Sequence, residues 1–160
     1  MQAETMQQTL ENILTLEVQV SAALLTCILA ERRALSARDN DALQHTTGEK
    51  LEHTRQLEAL EQKREQMLAR LGFSNDPAGL RRCLKNQPHA DRLSGLWQQV
   101  LETIKDCRNA NLTNGGILEA SRQHVEQALC LLRGQSASPA LYSPRGEAGA
   151  SLGHRHLGKA

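Results

Sequence analysis

The sequence predicts an all-α fold: an elongated bundle of three main helices in antiparallel, coiled-coil-like packing, forming a helical domain over 1–134 and followed by a flexible C-terminal tail over 135–160. Three observations predict it. Apolar residues recur at spacings of three and four over long stretches without Pro or Gly, the mark of helices that bury one face. Only Trp97, Tyr142 and Phe73 are aromatic while Leu is abundant, so the core is aliphatic and narrow, suited to packed helices rather than a sandwich or barrel. Fifteen of the last 26 residues are Gly, Ala, Ser or Pro, a composition that buries too little apolar area to offset its ordering entropy.

The first helix is expected from Glu4 to about Ala37. Leu10, Leu14, Val18, Leu25, Ile28 and Leu35 recur on it at helical spacing. Met6, Leu10, Ile13, Val20, Leu24 and Cys27 form a second row in which Glu17 is the odd member, so the stripe is broad and suits a bundle. "ARDNDAL" (37–43) interrupts it, because the short carboxylate of Asp39 or Asp41 can accept a free amide hydrogen at a new helix start. A single helix running through this point with its acids in water is the alternative.

The second helix, Ala42 to Leu71, places Leu43, Leu57, Leu60, Leu68 and Leu71 on a face among Glu, Lys, Arg and Gln; Glu61, Arg64, Glu65 and Arg70 read as solvated surface charges. "RLGF" closes it, since Gly72 can adopt the left-handed conformation that ends a helix and Phe73 can fold back on the last turn. "AGLRRCLKNQP" (78–88) reads as one or two helical turns before a break at Pro88.

The third long helix, Asp91 to Arg133, carries the clearest pattern. Leu93, Trp97, Val100, Ile104, Cys107, Asn111, Asn114, Leu118, Ser121, Val125, Ala128 and Leu132 alternate at spacings of four and three. Asn111 and Asn114 stand where leucine belongs, inside "CRNANLTNGGILEAS" (107–121), and a buried amide must find hydrogen-bond partners. The polar pair is either a layer that fixes helix register or part of a recognition site. Gly115 and Gly116 permit a bend or a close approach, and the same stretch reads alternatively as a loop between two shorter helices.

Net charge is +1, divided as −2 over 1–40, −1 over 41–71, +2 over 72–134 and +2 over 135–160, so no basic face marks nucleic acid as a partner. No apolar run approaches the roughly 18 residues of a membrane span, and the N-terminus has no basic region leading into an apolar core; a soluble protein with no stable membrane insertion is expected. Cys27, Cys83, Cys107 and Cys130 form no local ligand pair and read as free thiols, most of them in the core. His154 and His156 fall short of a four-ligand zinc site, and His45, His53, His89 and His124 read as surface residues. With no nucleophile elbow, phosphate-binding Gly-rich loop or metal motif, no enzyme activity, metal or cofactor is expected.

What remains is a helical scaffold offering a groove, the natural seat for an amphipathic partner helix. The motifs "AERRALSARDNDAL" (30–43), "EKLEHTRQLEALEQKREQML" (49–68), "RLGF" (70–73), "LSGLWQQV" (93–100), "CRNANLTNGGILEAS" (107–121), "ALCLLRG" (128–134) and "LYSPRG" (141–146), in that order, resemble the FlgN family of flagellar type III export chaperones over roughly residues 10–146. The resemblance implies a cytoplasmic, ATP-independent chaperone that binds the C-terminal segments of the hook-filament junction proteins, hook-associated proteins 1 and 3, and delivers them to the flagellar type III export gate. It implies cargo binding in the C-terminal part, where Asn111, Asn114, Leu118, Val125, Leu129 and Leu132 are the candidate contacts, and Tyr142 matches the family's tail tyrosine, the candidate for gate docking. The alternative on the same heptads is a structural coiled-coil adaptor, a homo-oligomer that buries the 93–132 face without cargo.

Overall fold

A computed structural model describes residues 2–133, with side chains from Gln8 onward; the expected tail and Tyr142 lie outside the described residues. The architecture is all-α. Four helices follow one another, α1 (Gln2–Ala37), α2 (Asn40–Arg70), α3 (Pro77–Lys85) and α4 (Ala90–Leu132), with no strand among the described residues. The chain divides into two units, Met1–Arg122 and Gln123–Ala160.

The helix boundaries follow from local chemistry. Past α1, Arg38 takes a left-handed φ of 55°, its N–H bonds the Leu35 carbonyl and the Asp39 N–H bonds the Ala34 carbonyl, the paired closure usually assigned to glycine. Asp39 then caps α2 directly, its carboxylate accepting from the Ala42 N–H at 3.0 Å. The interruption at 37–43 is therefore a two-residue turn between helices. Gly72, at φ 76°, ends α2 in the same way: the Phe73 N–H reaches the Leu68 carbonyl and the Phe73 ring packs on the core. Asp76 caps α3, accepting from the Gly79 N–H at 2.6 Å with Pro77 in the first turn, and Ser74 and Gly79 together hold its carboxyl below the usual range.

Side-chain pairs set the helix directions. On α1 and α2, Glu17 meets Arg64 and Glu31 meets Lys50, so the two helices run oppositely. On α1 and α4, Glu11 meets Arg92, the Ser21 carbonyl meets Cys107 and the Ile28 carbonyl meets Asn114, so these two run in the same direction. The core has two parts. Leu10, Leu14, Leu68, Leu80, Cys83, Leu84 and Leu93 form one, closed by α3, and Leu24, Ile28, Cys107 and Ala110 form the other. The short α3 fits because position 79 is glycine: a Cβ there would lie 2.1 Å from the Ser74 carbonyl oxygen.

Three expectations are corrected. Arg64 is buried rather than solvated, because Glu17 and Trp97 receive it. His53 is half-buried rather than on the surface, and its Nδ1 is enclosed without a hydrogen-bond partner among the described residues. A stretch of membrane-spanning length does exist, since an 18-residue window within Gln8–Ala37 of α1 is apolar enough by composition to cross a membrane. Its sparse charges are what let it pass, and two of them, Glu17 and Glu31, point into the bundle against Arg64 and Lys50, as a core helix requires. Cys27, Cys83 and Cys107 are buried free thiols, and burial pushes their titration upward.

Candidate functional site

Asn114 occupies a leucine position of the α4 seam, and α1 supplies what its amide needs. Its Nδ2 donates to the Ile28 carbonyl at 2.9 Å and to Glu31 Oε2 at 2.8 Å, while its Oδ1 accepts from Arg32 Nε at 3.1 Å. Arg32 also donates to the Ala110 carbonyl at 3.3 Å, and Lys50 of α2 closes the other side of Glu31 at 2.6 Å. The result is a satisfied polar layer joining three helices, which ties α4 to α1 at one register because any shift would strand several of these groups.

An open cleft of about 310 Å³ lies over this layer. Leu35, Leu43 and Leu118 give it apolar walls, Glu31, Lys50 and Asn114 line it with polar groups, and Asn111 and Gly115 complete its α4 side. Asn111 is exposed, whereas Asn114 is 4 % exposed and already bonded within the bundle. Helix α4 passes through Gly115 and Gly116 without a break, and a Cβ at either position would meet no neighbouring atom within 4 Å, so neither glycine serves a close approach. Replacing each by Ala is expected to stabilise the helix by about 1 kcal/mol. A urea midpoint that fails to rise in the Gly115→Ala/Gly116→Ala protein would contradict this.

The second unit is described over 123–133. Every residue there is exposed except the half-buried Cys130, and Val125, Leu129 and Leu132 are 58 %, 43 % and 84 % exposed. In the first unit, Leu118 is 58 % exposed. Of the two rows of the α4 seam, Leu93, Val100, Cys107 and Asn114 are buried, Trp97 and Ile104 are half-buried and Asn111 is exposed, and beyond Asn114 neither row is buried.

The family model for FlgN protein matches residues 2–150. The chain belongs to the FlgN family. Two flagella synthesis FlgN proteins of Yersinia enterocolitica, one of them from serotype O:8 / biotype 1B, are each 43 % identical to it over 70 residues, covering 41 % of this chain and 45 % of the relative. The match therefore spans less than half the length of these curated relatives. A crystal structure of a flagella synthesis FlgN protein from Pseudomonas aeruginosa superposes with a TM-score of 0.64 at 29 % identity, covering 69 % of this chain and 86 % of that one.

On this FlgN-family bundle, sequence reasoning picked out the cleft's α4 wall through Asn111, Asn114 and Leu118. It missed Glu31, Arg32 and Lys50, which serve Asn114 from 83, 82 and, through Glu31, 19 residues away. Glu17 was the one such signal visible in sequence, as the acid in an apolar row. Its Oε1 bonds Arg64 Nε at 3.0 Å, the Arg64 guanidinium lies 4.6 Å from the Trp97 ring centroid, and burial pushes the Glu17 carboxyl above its ordinary range. Among the described residues no group of three or more His, Cys, Asp or Glu side chains is placed to hold a metal ion.

Proposed function

We propose that this FlgN-family chain is a cytoplasmic, non-enzymatic, substrate-specific export chaperone. Its cargo is the C-terminal segments of hook-associated proteins 1 and 3, and it delivers them to the flagellar type III export gate. The observation that carries the reading is the exposure of apolar seam residues on α4, where an amphipathic cargo segment gains a surface to fold against. In the first unit the contacts are Asn111 and Leu118 at the cleft, with Asn114 and its partners beneath them; in the second they are Val125, Leu129 and Leu132. Tyr142 serves the gate. Coupled ordering of the cargo offsets part of its binding energy, which suits a client that is later released. The same reading takes the three long helices as coiled-coil-like packing in which α2 is antiparallel to α1, supported by the Glu17–Arg64 and Glu31–Lys50 pairs, while α1 and α4 run in the same direction.

Isothermal titration of the full chain with the purified C-terminal segments of the two hook-associated proteins tests this. Saturable binding is expected, weakened on the order of tenfold for each apolar contact removed in Leu118→Ser, Val125→Ser and Leu129→Ser proteins. Absence of heat at tens of micromolar would sink the proposal. The competing reading, a homodimeric adaptor, draws on the same heptad positions 118, 125 and 132; a stable dimer by light scattering that persists unchanged with cargo present would favour it.

A further inference from the structure

The FlgN-family cargo reading leaves another groove unused, between α1 and α2 in the first unit. It encloses about 300 Å³. Its apolar lining comes from Ile13 and Leu16 of α1 and Leu60 and Met67 of α2, and Leu16 is 46 % exposed although it stands one turn from the buried Ile13. Lys63 and Arg70 are the charged residues of the lining; the others are uncharged, so the groove carries two cations and no carboxylate. Both cations are exposed and neither has an ion-pair partner among the described residues.

We infer that this groove is a docking site for an acidic amphipathic helix of a partner protein. Ile13, Leu60 and Met67 form a buried floor between the two antiparallel helices, and Leu16 is the apolar side chain left exposed for a further helix to cover. The charge on the rim selects the occupant. Lys63 and Arg70 stand two turns apart on α2, about 10 Å along its axis, so the matching helix carries Asp or Glu at positions seven apart beside a stripe of Leu or Ile. A basic helix would meet like charges on that rim, which is how such a surface rejects wrong partners. Free nucleic acid satisfies the cations but brings no apolar stripe to Leu16.

The probe is a fluorescent amphipathic peptide of about 18 residues with a leucine stripe and Glu at seven-residue spacing, titrated into the full chain, beside the same peptide with Lys in place of Glu. The acidic peptide is expected to bind, the basic one is not, and Lys63→Glu/Arg70→Glu is expected to weaken the acidic peptide by about tenfold or more while restoring binding of the basic one. Leu16→Ser weakens both pairings. Circular dichroism checks that each variant folds. The inference is overturned by an acidic peptide that does not bind, by equal binding of the two peptides, or by indifference to the double reversal. It is equally overturned if single-stranded RNA or phosphatidylglycerol vesicles bind with the same dependence on Lys63 and Arg70 and the peptide does not. The hook-associated segments titrated into the same double variant keep their affinity, so failure of this site and failure of the cargo reading are told apart.

Discussion

Arg64→Met is expected to destabilise the protein by about 3–5 kcal/mol, the cost of leaving a buried charge without its partner. Glu17 is 2 % exposed, Arg64 supplies its ion pair, and its second oxygen, Oε2, has no hydrogen-bond partner among the described residues. Methionine keeps much of the length of the arginine stem, so the loss is electrostatic, with a smaller contribution from the missing cation over Trp97. Against a total stability of about 5–15 kcal/mol for a domain of this kind, such a loss approaches unfolding. The double change Glu17→Leu/Arg64→Met should recover most of it, because an apolar pair of similar volume has no charge to desolvate.

The pH dependence fixes the cause. Burial raises the Glu17 carboxyl above its ordinary 4.5, and the Arg64 charge is the main influence pulling it back down. A raised acid contributes stability that is fully present below its unfolded value and lost as pH rises through the folded value. Without Arg64 the folded value climbs further, so the deficit of Arg64→Met relative to the parent is largest near neutrality and shrinks as pH falls toward and below 4.5. Urea unfolding of both proteins at about pH 7 and about pH 4 measures this. Equal deficits at the two values would mean that lost packing, not an unpaired carboxylate, is responsible.

Asn114→Leu is expected to cost about 2–4 kcal/mol although it perfects the heptad. Leucine suits the seam by pattern, but here it removes the donor to Glu31 Oε2 and to the Ile28 carbonyl and the acceptor for Arg32 Nε, in a layer where Glu31 and Asn114 are themselves buried at the base of the cleft. Each stranded group costs about 1–3 kcal/mol, and the gain from one more buried side chain offsets only part of that. Thermal and urea unfolding should agree on the loss. A protein as stable as the parent would show that water replaces the amide and that Asn114 does not set the register.

The readable features of this chain were those settled within a few residues. Gly72 and Phe73, Asp39 before α2 and the break at Pro88 announce themselves because a cap or a turn is satisfied by its own neighbours. The long seam of α4 was equally plain. Its Asn residues signalled an exception, yet not its resolution, because Glu31 and Arg32 look like ordinary surface charges until α1 and α4 are side by side. Arg64 misled for the same reason: in a helix full of Glu and Lys nothing distinguishes the one cation that turns inward. On the candidate site, the α4 residues were legible by periodicity, whereas Leu35, Leu43 and Lys50 entered only through the directions in which the helices run. The apolar run of α1 escaped because its buried acids break the eye's count without lowering its mean hydropathy enough.

The same-direction pairing of α1 and α4 bears on how the bundle assembles. Contacts between α1 and α2 close over a turn of two residues, while the bonds from α4 to α1 join positions 78 to 86 apart in sequence. Loop closure favours the nearer partner, so the hairpin of α1 and α2 is expected to form before α4 docks onto it. Folding order and exposure then go together: the helix expected to join the bundle last is also the one whose apolar residues beyond Asn114 stand in solvent.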